Sequence, residues 1–443
     1  MSHSSVYFVG RADEVCHHAQ PFKDTLAVQI VNAADVIELA QTGDLAIFFS
    51  EHFDRFRHAI EILKQRQVAT LYMLDGILEW RNAWENRPDE PACPFTMRPV
   101  LCHKAACIGF SQARVLDSWG NREKTEVVGI PRLDRLQRLS PRQPTGDSFR
   151  VLVMTAKVPG FTPQQVERTK QSLTDLKLWL EQEQRIRANL NGKKLEIVWR
   201  LTAGLDRDLQ VENQCSEISG SELVEQLLHV DAVISTPSTA MLEAMVLGLP
   251  VASLNYHCCP MYVPTAWTIS HRDGIANVIA ELSDPSPPKL FFQQMQLEDA
   301  LALAPRLGRA PGKQTATDRF IQLVQGMQEI THRQLAHGEP IQFPAALLPP
   351  LEEEGSPFIH RDLYSKYRPI FDTDSVSTQV ELAHARREID HLNKEIRQLK
   401  SELAQAHSIF EQIQQHPVAG PIVRLRQRFI DWFSRNQSEV LSK

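Results

Sequence analysis

A chain of 443 residues with 42% hydrophobic and 23% charged residues has the balance of ordinary globular domains, and its length points to two to four of them. A net charge of −6 supplies no general basic face for displacing the counterions of nucleic acid, so no nucleic-acid partner is expected. The seven cysteines (Cys16, Cys93, Cys102, Cys107, Cys215, Cys258, Cys259) are scattered and contain no C-x-x-C pair, which excludes a common zinc spacing and points to a reducing compartment. The opening MSHSSVYFVGRADEV lacks the basic and apolar regions of a signal peptide, and no apolar run nears the ~18 residues of a membrane span. A cytoplasmic location follows as the expectation, with peripheral contact on the inner face of a membrane left open.

In chain order, short apolar runs at 6–9, 45–49, 68–73, 105–110 and 125–128 read as strands. Phe53, Phe56, Ile60 and Leu63 recur at helical spacing between two of them. This alternation predicts a parallel sheet covered on both faces, an N-terminal Rossmann-like domain over 1–140. The stretch PRLDRLQRLSPRQPTGDS reads as a linker. A second α/β series occupies 148–335, with strands at 151–154, 195–199, 232–235 and 251–254 and helices at 163–183, 222–228 and 240–247. Residues from about 273 to 334 read as helical and able to pack against both domains. Residues 336–375 hold six prolines and the run Glu352–Glu354 and are taken as a linker.

The segment 376–416 carries a seam at Leu382, Ala385, Ile389, Leu392, Ile396, Leu399, Leu403, Ala406, Phe410 and Ile413, with steps alternating three and four. That is a coiled-coil pattern, with Thr378 and Glu381 as a capping box, and it predicts a homo-oligomer. A single helix packed on the domains is the plainer reading. The tail over 417–443 places Ile422, Leu425, Phe429 and Trp432 on one face. Arg424, Arg426, Arg428, Arg435 and Lys443 outweigh Asp431 and Glu439. Such a tail suits an anionic membrane interface or packing on the body.

The most informative stretch is AVISTPSTAMLEAMVLGLPVASLNY at 232–256. A buried strand runs into a hydroxyl-rich turn, Pro237 fixes the turn, and Ser238 or Thr239 is placed to cap the next helix. Free N–H groups at that helix start, with the hydroxyls of Ser235, Ser238 and Thr239, suit a diphosphate. Glu243, one turn on, is placed to accept bonds from the two hydroxyls of a ribose. An ordinary capped strand–turn–helix with a solvated glutamate would have the same pattern.

This string resembles the donor-nucleotide motif of GT-B glycosyltransferases, in which a hydroxyl-rich turn, a glutamate and G-x-P follow in that order. The resemblance implies a fold of two Rossmann-like domains in the GT-B arrangement, followed here by the coiled-coil helix. It implies that Glu243 holds the ribose of a nucleotide-sugar donor. The related non-hydrolysing sugar-nucleotide epimerases share the pattern, so it identifies the ligand before the reaction. VVGIPRLD at 127–134 is similar to a G-x-P-R-x-D string that closes the N-terminal domain of bacterial surface-polysaccharide transferases. Arg132 there is placed either to reach the cleft or to pair with Asp134. The chain departs from these relatives at Arg200-Leu201-Thr202-Ala203, where they often carry arginine followed by His-Pro. The acceptor and the donor base stay open.

Further candidates lie at strand ends. Thr155 and Lys157 follow the first strand of the second domain, and Arg200 ends another, placing a hydroxyl, an ammonium and a guanidinium near a leaving diphosphate. Asp75, Glu79 and His103 are the candidates for the general base that an inverting transfer needs. Each has a plainer role: a helix cap for Asp75, a surface or satisfied histidine for His103, a loop charge for Lys157, a structural ion pair for Arg200. Trp80 and Trp84 offer faces for an acceptor sugar or for core packing. The pairs Asp206/Asp208 and Asp372/Asp374 match D-x-D by chance, and neither a metal nor a cofactor beyond the donor substrate is expected. The expected activity is transfer of a sugar from a nucleotide sugar to a surface glycan or a lipid-linked acceptor. A non-hydrolysing epimerase and a non-catalytic scaffold of the same fold are the alternatives.

Overall fold

The computed structural model describes residues 4–51, 53–78, 97–139, 148–158, 160, 162–186, 189–190, 193–213, 220–257, 263–304 and 314–351, with isolated positions and short runs between 392 and 428. The chain forms two units, Met1–Thr373 and Asp374–Lys443.

The first unit contains two sheets. Strands β1 (Val6–Val9), β2 (Val28–Val31), β3 (Leu45–Phe48), β4 (Ala69–Met73), β5 (Lys104–Cys107) and β6 (Thr125–Val127) pair in the order β2-β1-β3-β4-β5-β6, all parallel. The central strands VYFV, LAIF and ATLYM are buried at every position because helices cover both faces. Those described here are α1 (Ala12–Ala19), α2 (Ala33–Leu39), α3 (Asp54–Gln65) and α4 (Phe110–Leu116). Strand β2 and helices α1 and α2 escaped the periodicity analysis; β2 is a partly exposed edge strand of only four residues.

The second sheet has β7 (Ser148–Met154), β8 (Asn189–Leu190), β9 (Lys193–Arg200), β10 (Ala232–Ser235), β11 (Val251–Leu254) and β12 (Trp267–Ile269), in the order β12-β11-β10-β7-β9-β8. All pairs are parallel except the β8–β9 hairpin. Its helices are α5 (Pro163–Ile186), α6 (Leu205–Leu209), α7 (Gly220–Leu227), α8 (Ala240–Val246) and α9 (Ile275–Ser283). Each sheet reverses direction of strand addition once, between β1 and β3 and between β7 and β10. A crevice opens at such a switch point beyond the carboxyl ends of the strands.

The halves are joined by more than a linker. Residues 131–138, expected to begin one, form a 3₁₀ helix (Pro131–Arg138) with Leu133 and Leu136 buried. The preceding Gly129 has φ +99°, and a Cβ there would lie 2.8 Å from the Ala302 carbonyl oxygen, so this turn excludes larger residues. Helix α10 (Pro287–Ala300) spans the junction: Asp299 receives both hydrogen bonds of Arg114 from α4, one at 2.6 Å. Gly109 lets the Ala300 backbone approach so closely that a Cβ would sit 2.2 Å from its carbonyl oxygen.

Helix α11 (Ala316–Ala336) crosses back to the first sheet, burying Phe320, Leu323, Val324 and Met327 against Val6, Phe8, Leu45 and Leu71. Each such side chain contributes about 1.5–3 kcal/mol, well above the ~1 kcal/mol of its Thr315/Asp318 capping box, so packing holds it there. The end of the 148–335 segment thus packs on the N-terminal half, within the expectation that 273–334 would pack against both domains. Within the expected linker over 336–375, the described residues 336–351 pack on the first half. Ile341 and Leu348 are buried, and the backbone N–H groups of Leu347 and Leu348 donate to Glu126. The six prolines of 336–375 do not reveal this packing, because proline frequency signals irregular backbone and says nothing about burial.

Most of the second unit, including most of the expected seam and basic tail, lies outside the described residues. At the described positions the backbone is helical, and Leu392, Ile396, Leu399 and Leu403 are exposed. No helix among the described residues is long and apolar enough to cross a membrane.

Candidate functional site

A cleft of about 2050 Å³ opens between the carboxyl ends of the two sheets. Its walls include Gly10 and helix α1 after β1, Phe49 and Ser50 after β3, and Asp75 after β4; Lys157 after β7 and Arg200 at the end of β9 face them. Arg132 and Glu243 complete the wall between the halves.

Asp75 is the base candidate that the fold brings into the cleft. Its side chain is 45% exposed and its Oδ2 lies 2.9 Å from Nε2 of His18, which is 4% exposed. Phe49 stacks on the His18 ring at 4.7 Å and fixes it from behind. Crowding by protein raises the Asp75 carboxyl, but the hydrogen bond and charge of His18, with the charge of Arg132, outweigh it. The net position is below the ordinary carboxylate range. His17 lies on the open side, its ring centroid 3.8 Å from that of His18. Desolvation, then His18 and Arg132, press its imidazole down to about 4.

His103 is placed elsewhere. It precedes β5 and so sits at the amino end of the sheet, opposite the cleft. Its Nδ1 accepts from the Thr70 N–H at 3.1 Å and lies 2.9 Å from the Thr70 hydroxyl. Burial and the charges of Lys64 and Lys124 hold it down to about 3, and it packs on Thr70 away from the cleft. Glu79, Trp80 and Trp84 lie outside the described residues.

On the side of the second sheet, Glu243 is buried and accepts from Arg132 Nη1 at 2.6 Å. Arg132 thus pairs across the halves and not with Asp134, which receives the Ala316 and Thr317 N–H groups at the start of α11. Glu243 Oε2 and Arg132 Nε are buried without a hydrogen-bond partner. Lys157 is exposed on the cleft wall, whereas Arg200 is buried beside Gln226 Oε1 at 3.1 Å and Glu222 Oε2 at 3.7 Å.

The hydroxyls are more internal than expected. Ser235 is fully buried and donates to the Thr236 carbonyl at 2.7 Å. Ser238 Oγ is 3.4 Å from Ser235 Oγ. Thr239 stands at the start of α8 in helical conformation with no side-chain cap; its hydroxyl accepts from the Ile77 N–H at 3.1 Å, across the halves. Gly76 permits this contact, since a Cβ there would come within 2.2 Å of Thr239 Oγ1. Thr155 is buried, with its hydroxyl 2.9 Å from that of Thr202. Ser235, Ser238 and Thr239 thus make their contacts at the turn after β10, Thr155 meets Thr202, and Lys157, Arg200 and Glu243 line the cleft. Of the D-x-D pairs, Asp208 binds Lys170 on the surface and Asp372/Asp374 lie outside the described residues.

The missed residues are His17 and His18. Their signal was positional: they occupy the helix that follows β1 and Gly10, at the first sheet's switch point. An eight-residue helix interrupted by polar residues hid it from periodicity.

Two Rossmann-like halves facing each other across a cleft, with a final helix returning to the first, make the GT-B arrangement that the motif resemblance implied. Solved structures similar to the chain include MnaA of S. aureus with UDP, at 12% identity and TM-score 0.48, covering 77% of this chain and 100% of that one. The wall teichoic acid polymerase TagF follows at 10% and 0.42, covering 76% and 89%. UDP-GlcNAc 2-epimerase of Neisseria meningitidis bound to UDP-GlcNAc is similar at 12% and 0.44, covering 73% and 99%. No family model and no curated protein matches the chain.

Proposed function

We propose that the protein is a glycosyltransferase that moves a sugar from a nucleotide-sugar donor to a surface-glycan or lipid-linked acceptor. The observation that carries this reading is Glu243: a buried carboxylate at the second sheet's switch point, on the cleft wall, with Oε2 free to accept from a ribose hydroxyl. Asp75 faces the same cleft from the other sheet. In the transfer, an acceptor hydroxyl oxygen bonds to the anomeric carbon as the bond from that carbon to the nucleotide diphosphate breaks. The hydroxyl proton passes to the Asp75 carboxylate, held in place by His18. Lys157 and Arg200 bring positive charge toward the departing diphosphate. This chemistry draws on side chains alone.

Glu243→Ala is expected to weaken nucleotide binding by roughly 10- to 100-fold, because hydrogen bonds to a charged group contribute about 1.5–3 kcal/mol. Calorimetry on the folded variant checks this, and unchanged affinity would remove Glu243 from the donor site. Incubation with nucleotide sugars separates the three readings. Transfer releases free nucleotide, epimerisation yields a new nucleotide sugar, and a scaffold leaves the donor unchanged.

Self-association through the 376–416 seam belongs to the same proposal, supported by the exposed Leu392, Ile396, Leu399 and Leu403. Light scattering of the full chain at micromolar concentration is expected to give a multiple of 50.3 kDa. A monomer mass would exclude it. A cytoplasmic enzyme with its tail on the inner membrane surface would meet a lipid-linked acceptor there.

A further inference from the structure

We propose that His17, His18 and Asp75 form a binding site for a divalent first-row transition ion of the zinc type on the cleft wall. One ligand atom from each of the three lies within 4.8 Å of the other two. Such convergence is not a consequence of sequence proximity, because Asp75 comes from the end of β4 and the histidines from the helix after β1. The adjacent histidines would ordinarily diverge around the helix, yet their rings approach to 3.8 Å. His18 is held by Phe49 and Asp75, whereas His17 is exposed and free to adjust.

Zinc bonds to nitrogen and oxygen at about 2.0–2.2 Å, so ligands of a tetrahedral site stand about 3.4 Å apart. The separations, 4.8 Å at most, reach that geometry by shifts of up to about 1.4 Å, together with a slight opening of the 2.9 Å His18–Asp75 contact. Two imidazoles and one carboxylate favour zinc, nickel or iron(II) over magnesium or calcium. The cleft leaves the remaining position to water.

Nearby charge permits an ion. Arg132 acts on both His17 and Asp75, but it is neutralised by Glu243 at 2.6 Å. Lys157 also faces His17, and on the same wall Arg11 pairs with Asp13 at 2.6 Å and with Glu14 at 3.9 Å, so the charges of that wall nearly balance. In a transferase of the kind proposed above, a bound ion would occupy the carboxylate that receives the acceptor proton, so zinc would lower turnover. That consequence rests on the transferase reading, whereas binding itself does not.

The test is titration of the full-length protein with zinc chloride by calorimetry, wild type against His17→Ala. The sequence holds 16 histidines, so the difference between the two proteins is the readout. Because His17 is exposed, its replacement leaves the fold intact. The expected result is loss of one site, or weakening of that site by at least about tenfold. Cobalt(II) should give visible ligand-field bands in wild type that His17→Ala lacks. Cys16→Ser, which removes the exposed neighbouring thiol, should bind zinc as wild type does. Equal stoichiometry and affinity in wild type and His17→Ala would overturn the proposal, as would loss confined to Cys16→Ser. Either failure leaves nucleotide binding, and so the transferase reading, unaffected.

Discussion

Lys104→Met is expected to destabilise the protein by about 3–5 kcal/mol, the usual cost of removing one partner from a buried ion pair. The Lys104 side chain is 0% exposed and its Nζ lies 2.8 Å from Glu126 Oε1. It also donates toward the carbonyls of Glu123 at 3.1 Å, Pro344 at 3.0 Å and Ala345 at 2.9 Å. Methionine retains much of the stem volume, so the loss reports the charge and its bonds more than a cavity. Glu126 would then keep the N–H groups of Leu347 and Leu348 and the more distant charge of Arg319. The damage should therefore appear as a lower urea midpoint and as faster proteolysis near 341–351. Lys104→Met/Glu126→Gln should regain part of the stability, since no uncompensated charge stays buried. A Lys104→Met midpoint equal to that of wild type would show that chain packing alone holds this segment.

Asp75→Asn is expected to lower the rate of sugar transfer by about 10²- to 10⁴-fold, the usual contribution of a positioned general base, with little change in donor affinity. The amide keeps the shape and can still meet His18, but it takes no proton from an acceptor hydroxyl. Single-turnover rates and donor calorimetry separate these effects, and a variant with wild-type turnover would move the base elsewhere. The pH profile offers a second check. Since the folded carboxyl is held below the ordinary range, it stays ionised as pH falls through the usual carboxylate region. The acid limb of kcat/KM should accordingly lie below that region. The stabilising His18–Asp75 contact has the same sign: present above the unfolded carboxyl pKa, lost as pH falls through the folded one. His17→Ala removes a nearby imidazole without touching that bond and should leave the limb in place.

The alternation of buried strands and amphipathic helices was legible residue by residue, because parallel strands covered on both faces must be apolar throughout. The run at 232–256 likewise announced a strand, a tight turn and a helix bearing Glu243, since its local chemistry permits little else. Its hydroxyls could not be assigned from sequence: whether Ser235 and Thr239 face a ligand or another backbone depends on what packs against the turn. For Thr239 that partner is the Ile77 segment of the other half, while Ser235 turns to the Thr236 carbonyl. Arg132 shows the same limit. Sequence placed Asp134 beside it, whereas the fold gives it Glu243, 111 residues away, and gives Asp134 the start of α11. Strand direction also puts Asp75 and His103, which flank neighbouring strands, at opposite ends of the sheet, with Asp75 on the cleft wall. Composition and periodicity thus determined most of the elements, β2, α1 and α2 excepted. Which side chains meet across the cleft was decided by the order of strands in two sheets and by α10 and α11 crossing between them. Such contacts form between groups distant in the chain, and local propensity carries no information about distance in space.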